Sequence, residues 1–523
     1  MQYATASTVL RRDANIIQFA DISNLFAFFP EKSICESGKY RVFTSGNLKK
    51  YLLAVLYYRT ILIKEMFQLQ QKFKDSPIMS NLKFGFGKED ITPALGIPLC
   101  GYFNPRPNKG AYDRLAVKAA VFCNAGKTAA IVSYDLCLLE RKQLDIIAEK
   151  VNAALPQLEG NTLFCCTHTH TGPYASRIFG FDPDAEYMAM LAEKTVSALK
   201  TACSAMDPAE IYAATTENTT LSFNRRYIMK NGKTLTNPGK LNPEIDHPEG
   251  GIDPQIIMME VRQNDRPALM IANISNHTDT IGGDWVSADW PGIMEKEMQY
   301  KLGYDVPVMT IIAPQGNINH FDVSTAGSQT GYEEAQRIGK AYANVLLAAM
   351  YRFKKIENTS IFTAEREFEA PYLQLSDAEY AEAKKTYEEN KDAVMADGRD
   401  FTSEDIARGV PFVKKFFAEM AIGCRENPIP GKRIEKQIVI AFGEELAIVS
   451  LPAEPFVELG YAIRAQSPYK MTVLAALGMG EVGYVGLRQH YGNGGYETSP
   501  SRTLADPTTG EAIIAGAVDL LNR

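Results

Sequence analysis

The sequence predicts an α/β chain, layered in the α+β manner around mixed β-sheets, and three observations carry that prediction. From Leu82 onward, short apolar runs alternate with Gly- and Pro-marked turns and with amphipathic stretches. Residues 140–156 space their apolar side chains at Leu144, Ile147, Val151 and Leu155, the period of a helix face. A length of 523 residues with 46% hydrophobic content is enough to bury one large core, or two lobes sharing one.

Taken in order, residues 1–79 stand apart. They lack the Gly-punctuated strand pattern, and Lys49 to Phe73 reads as one basic-apolar helix. Arg59 interrupts its apolar core, which is too short to span a bilayer. The segment is therefore a separate N-terminal helical extension, poorly ordered or mis-started, with a membrane-surface helix as the sharper alternative. Residues 80–523 form the main domain. Phe84 to Pro93 reads as a strand and turn, and Ile97 to Tyr102 follows. Ala116–Cys123 and Ala129–Tyr134 read as a strand pair about Asn124–Lys127. After the helix of 140–156 comes an apolar strand, Leu163 to Cys166, and then a helix from about Ala185 to Ala202. Strands at 209–215, 256–262 and 268–274 follow between Asn-, Gly- and Pro-rich loops. Residues 372–425 are charged and low in β-branched residues, which predicts a helical insertion over the site entrance. Gln437–Phe442 and Leu446–Leu451 then read as a hairpin. Phe456–Gln466 reads as a helix and Thr472–Leu477 as a strand.

A net charge of −7, without a basic cluster, argues against nucleic acid as the main partner. The eight Cys show no CxxC, and several lie in apolar runs, as reduced buried thiols of a cytoplasmic protein do. No stretch of the sequence qualifies as a transmembrane segment.

Ionisable and aromatic groups recur at the ends of the apolar runs. His168 and His170 follow the strand that ends at Cys166, where alternation would project both to one face and where open α/β sheets place ligands. Imidazole is both a metal ligand and a proton carrier, so the pair reads as metal or catalysis, against two strand-end residues bonded to loop backbone. His277 ends another strand in the same way. Glu454, beside Pro455 at a helix start, is also explained by the helix macrodipole. Tyr484 and Tyr496 sit in glycine-rich loops, where packing is the common role, and Arg225 can clamp an oxyanion or form a surface ion pair. Two His and one carboxylate with an open position is a catalytic zinc pattern. Spacing alone does not join these residues into a site.

At these residues the chain resembles the catalytic domain of the neutral, non-lysosomal ceramidase family. The likeness runs from about Phe84 to Ser501, through GFGKEDITP, GYFNP, SYDLCLL, CTHTHTGP, FNRR, SNHTDT with SADWPG, APQGN, LPAE, GYV and GGYE in that order. The resemblance implies a ceramidase-like catalytic domain holding one zinc on His168, His277, Glu454 and Tyr484. It also implies that His170, Arg225 and Tyr496 act at the reacting carbonyl. The implied reaction is hydrolysis of an N-acyl, ceramide-like amide by metal-activated water. Alternatives are a zinc hydrolase of another small amide or ester, and a catalytically inactive binding protein of the same fold. Asp135, Asp279 and Asp289 are each candidates to orient a ligand imidazole. The chain departs from the family at Asn317-Ile-Asn-His320-Phe-Asp322, where the family's serine has no counterpart, and His320 there reads as structural. It also stops short of the family's C-terminal immunoglobulin-like domain, and no secretion signal is evident.

Overall fold

A computed structural model describes residues 81–394, 403–427, 431–499 and 505–523. The N-terminal extension, with the helix expected from Lys49 to Phe73, lies outside the described residues, as does part of the insertion.

Three sheets make up most of the domain. The first begins with β1 (Lys83–Asp90), β2 (Ala116–Asn124) and β3 (Lys127–Tyr134), a run of antiparallel neighbours. Helix α1 (Arg141–Ala154) then carries the chain to β4 (Thr162–Cys166), which pairs parallel with β3. Helix α2 (Ala185–Ser204) covers this sheet, its N-terminus capped by the Asp184 carboxylate accepting from the Tyr187 N–H.

The second sheet contains β5 (Glu210–Glu217), β6 (Gln255–Gln263) and β7 (Arg266–Ile274), again antiparallel neighbours. Helix α3 (Asp289–Leu302) leads to β8 (Val308–Ile312), parallel to β7, and helix α4 (Tyr332–Ala349) packs beside α3.

The third sheet opens with β9 (Ile361–Pro371). Its next neighbour in space, β10 (Lys432–Phe442), pairs with it antiparallel along all eleven residues. Between them the chain forms α5 (Asp377–Asn390), α6 (Ser403–Arg408) and α7 (Pro411–Glu426), so the helical insertion sits at the tip of a long hairpin. The predicted hairpin of β10 with β11 (Leu446–Leu451) is present. A two-residue strand β12 (Glu454–Pro455) and helix α8 (Val457–Arg464) follow, then β13 (Met471–Ala476), parallel to β11. Another two-residue strand, β14 (Tyr484–Val485), and α9 (Thr509–Leu521) complete the domain.

Strands β3, β4, β8, β11 and β13 are buried on both faces, which explains their near-continuous apolar runs. Alternate residues divide between cores. Ile257, Met259 and Val261 of β6 join a central core with Ile438 and Ile440 of β10 and Ile131 of β3. Their neighbours Ile256 and Met258 turn outward to Trp290, Met294 and Tyr342 of α3 and α4. Val439 and Ala441 turn to Ile513 and Ala517 of α9. The three sheets thus share one interior, with helices outside them.

Three parallel crossovers place the carboxyl ends of β3 and β4, of β7 and β8, and of β11 and β13 around one region, where α/β sheets hold ligands. The seven described cysteines are free thiols. No helix among the described residues is long and apolar enough to cross a membrane.

Candidate functional site

β4 stops at Cys166, two residues before His168. The backbone then pairs onward, Thr167 N–H to the Tyr134 carbonyl and His168 N–H to that of Leu136, each at 2.8 Å. His168 adopts φ +68°, a left-handed conformation uncommon outside glycine. Strand alternation therefore does not align the two His, contrary to the sequence expectation. A loop does so, leaving the Nε2 atoms of His168 and His170 3.3 Å apart.

The His168 Nδ1–H donates to the Cys137 carbonyl at 2.8 Å, and the His277 Nδ1–H to that of Gln315 at 3.3 Å. Both Gln315 and Cys137 lie just past strand ends, so the fold itself sets these tautomers and directs both Nε2 lone pairs inward. The two Nε2 atoms stand 3.0 Å apart. Glu454 Oε2 is 3.0 Å from the first and 3.5 Å from the second. All three side chains are buried.

Three electron-rich atoms buried this close together repel one another unless a proton or a cation lies among them. A tetrahedral zinc with bonds of about 2.0–2.1 Å needs ligand atoms about 3.3 Å apart. The spacing and chemistry of His168, His277 and Glu454 fit that ion. Cys137, His168 and His170 form a second donor group. There the Cys100 thiol and burial push the Cys137 thiol well above its usual range.

Tyr484 reaches the same place through a ladder invisible in the sequence. β12 and β14 pair in parallel with Glu454 directly opposite Tyr484. The Tyr484 ring lies 6.4 Å from that of His277 and nearly parallel to it. Gly316 passes beside this ladder so closely that a Cβ would fall 2.3 Å from the Glu454 carbonyl oxygen.

The Arg225 guanidinium stands 5.1 Å from the Tyr484 ring centre, and the Tyr496 ring is 5.9 Å from that of Tyr484. Burial opposes the charge on Arg225, but the Tyr484 phenol and the Glu497 and Glu454 carboxylates outweigh it and keep the guanidinium ionised. Sequence reasoning missed Glu497. It is fully buried, faces Arg225 Nε at 2.7 Å, and accepts from Arg226 Nη1 at 2.8 Å and the Thr236 hydroxyl at 2.7 Å.

None of the three aspartates orients the His168 or His277 ring, whose Nδ1 atoms face backbone carbonyls; Asp279 lies beside His170 instead. Its Oδ1 accepts from the Tyr102 hydroxyl at 2.7 Å and lies 3.4 Å from His170 Nδ1. Asp135 accepts from the Ala116 N–H at the base of the loop. Asp289, its carboxyl pushed up to about 6 by burial, accepts from Thr280 and Ile281 N–H and shapes the turn after His277. Burial and the neighbouring His168 hold the His170 imidazole well below its usual pKa. His320 binds the Gln329 carbonyl through Nε2 at 2.7 Å, a structural role, and Asn317 accepts the Arg225 N–H on its carbonyl.

The insertion lies on the Tyr496 side of the site. Phe103, next to Tyr102, packs against Phe416 and Phe417 of α7 and against Tyr496, with ring centres 5.3, 5.8 and 6.2 Å away.

No protein-family model and no curated protein sequence matches the chain. Among solved structures it is similar to neutral ceramidase from Pseudomonas aeruginosa, with a TM-score of 0.63 and 18% identity over 84% of this chain and 74% of that one. A ceramidase complexed with C2 gives a TM-score of 0.63 and 17% identity over 84% and 75%. The sheets and their crossovers thus make up a neutral ceramidase-like fold.

Proposed function

We propose that the protein is a zinc-dependent hydrolase that cleaves the amide bond of an N-acyl, ceramide-like substrate. The observation that carries this reading is the convergence of His168 Nε2, His277 Nε2 and Glu454 Oε2 within 3.0–3.5 Å of one another. The neutral ceramidase-like fold supports the choice of substrate class.

His168, His277 and Glu454 would hold the ion, with Tyr484 beside them. When bound, zinc supplies Lewis acidity and activates water for attack on a carbonyl. Arg225 and Tyr496 would donate to the carbonyl oxygen as negative charge develops there, a fixed electrostatic contribution that needs no reorganisation. His170, kept neutral by burial and with Asp279 beside its Nδ1, can take a proton on Nε2 and pass it to the departing amine.

The test combines metal analysis with turnover. Wild-type protein is expected to hold about one zinc per chain and to release fatty acid from a labelled ceramide. His168→Ala and Glu454→Ala should lose both the zinc and the activity. His170→Ala should keep the zinc and lose at least 100-fold in kcat. Zinc in the wild type no higher than in the ligand variants would overturn the reading.

A further inference from the structure

Beside the site, between α5, α7 and the loop that carries Tyr496, lies a cavity of about 490 Å³. That is an ordinary size for a ligand site. Its insertion wall is made by Leu375, Val413, Ala418 and Ala421, all buried, and Leu235 and Tyr496 close the other side. The charged side chains that reach it, Glu379, Glu382 and Lys414, belong to exposed residues at its rim. Two of its hydroxyls are already bound, Thr236 to Glu497 at 2.7 Å and Ser499 to the Tyr496 carbonyl at 2.8 Å. Such a lining offers dispersion contact and little hydrogen bonding, so its complement is hydrocarbon.

The position of Tyr496 decides which part of a substrate enters. Its ring lines the cavity and is also 5.9 Å from that of Tyr484 at the metal-ligand cluster. On the reading proposed above, the amide oxygen faces Arg225 and Tyr496, while the nitrogen faces His170. His170 neighbours Tyr102 and Asp279, a polar surround. The substituent on the carbonyl carbon lies away from His170, and the apolar space open to it there is the cavity that Tyr496 lines. We infer that this cavity is the binding site for the fatty acyl chain, and that the polar amine part of the substrate lies toward Tyr102 and Asp279. The inference rests on the proposed amide hydrolysis. It adds that the helical insertion measures acyl length.

The experiment uses the full chain and two series of N-acyl amines. One series varies the acyl group from two to eighteen carbons on a fixed amine, and the other varies the amine chain on a fixed acetyl group. Ala421→Trp fills the cavity and should lower the ratio of long-acyl to short-acyl kcat/KM at least tenfold, leaving the amine-chain profile as in the wild type. Phe417→Ala enlarges the cavity and should move the preferred acyl length upward. Binding of palmitic acid by calorimetry gives a readout independent of turnover, tight in the wild type and at least tenfold weaker in Ala421→Trp.

Should no N-acyl amide be turned over by the wild type while palmitic acid still distinguishes the two proteins, the hydrolase reading fails and the cavity stands. Should amides be cleaved with one acyl profile in all three proteins, or should only the amine series respond, the acyl assignment is overturned. If Ala421→Trp does not fold, Ala418→Leu with Phe417→Ala decides the same question.

Discussion

Glu497 faces two arginines and a threonine hydroxyl at once, and with Tyr484 it is one of the groups set against Arg225. Removing its charge in Glu497→Gln leaves Arg225 and Arg226 buried with one carboxylate fewer, a loss on the order of 3–5 kcal/mol for a broken buried pair. The expected kinetic signature is a fall in kcat of tenfold or more with zinc content and KM near wild type. A parallel loss of zinc would mark a folding defect instead. Gly101 is equally local. It has φ +97°, and a Cβ there would meet the His170 Cβ and Cγ at 2.6 Å. Gly101→Ala should therefore lower activity at least tenfold by displacing the His170 ring, as assayed on the amide substrate, with zinc retained. The His168–His170 pair is legible from spacing because imidazoles at a strand end are rare and chemically pointed. Glu497 is not, since a single acid in a glycine-rich loop acquires meaning only from Arg226, which lies 271 residues earlier. The same holds for Cys137, which contributes its carbonyl to His168 through the backbone, where residue type carries no signal.

Neighbouring elements are joined by side chains as well as by ladders. Asn273 of β7 donates to the carbonyls of Ile311 in β8 and Leu474 in β13, at 2.8 and 3.0 Å, and accepts the Leu474 N–H at 3.2 Å. It is fully buried and stitches the second sheet to the third. Asn273→Leu keeps the approximate volume but strips those partners from Leu474, which should cost about 3 kcal/mol in urea unfolding. A midpoint equal to wild type would show that the stitch is dispensable. Strands and helices were legible where their apolar period was strong, as in β4, α1 and the β10–β11 hairpin. The pairing of β9 with β10 was not, because the whole insertion separates partners that lie side by side. The Glu454–Tyr484 ladder was hidden for the same reason, two residues on each side being too short to leave a pattern.

At the scale of the whole molecule, buried acids set a pH response. Burial pushes the Glu435 carboxyl up to about 7, against the pull of Arg433 beside it. The unfolded chain releases this proton near pH 4.5, while the folded chain keeps it until about 7. Stability from this group is thus complete below about pH 4.5 and is lost as pH rises through 7, a change on the order of 3 kcal/mol. Urea midpoints should fall between pH 5 and 8 in the wild type, and Glu435→Gln should flatten that slope. The α/β class follows from the alternation of elements, whereas three sheets sharing one interior follow from long-range pairing that no local window contains.

That arrangement also separates two tasks. Helices α5–α7 leave and rejoin the body at Pro371 and Lys432, which face each other across the β9–β10 ladder. A short loop joining those two positions would leave the three sheets and the His168–His277–Glu454 cluster in place and remove the aromatic packing of α7 against Phe103 and Tyr496. The seam at Pro371 and Lys432 thus divides the chain into a body that holds the His and Glu side chains and a helical unit that walls the space beside Tyr496.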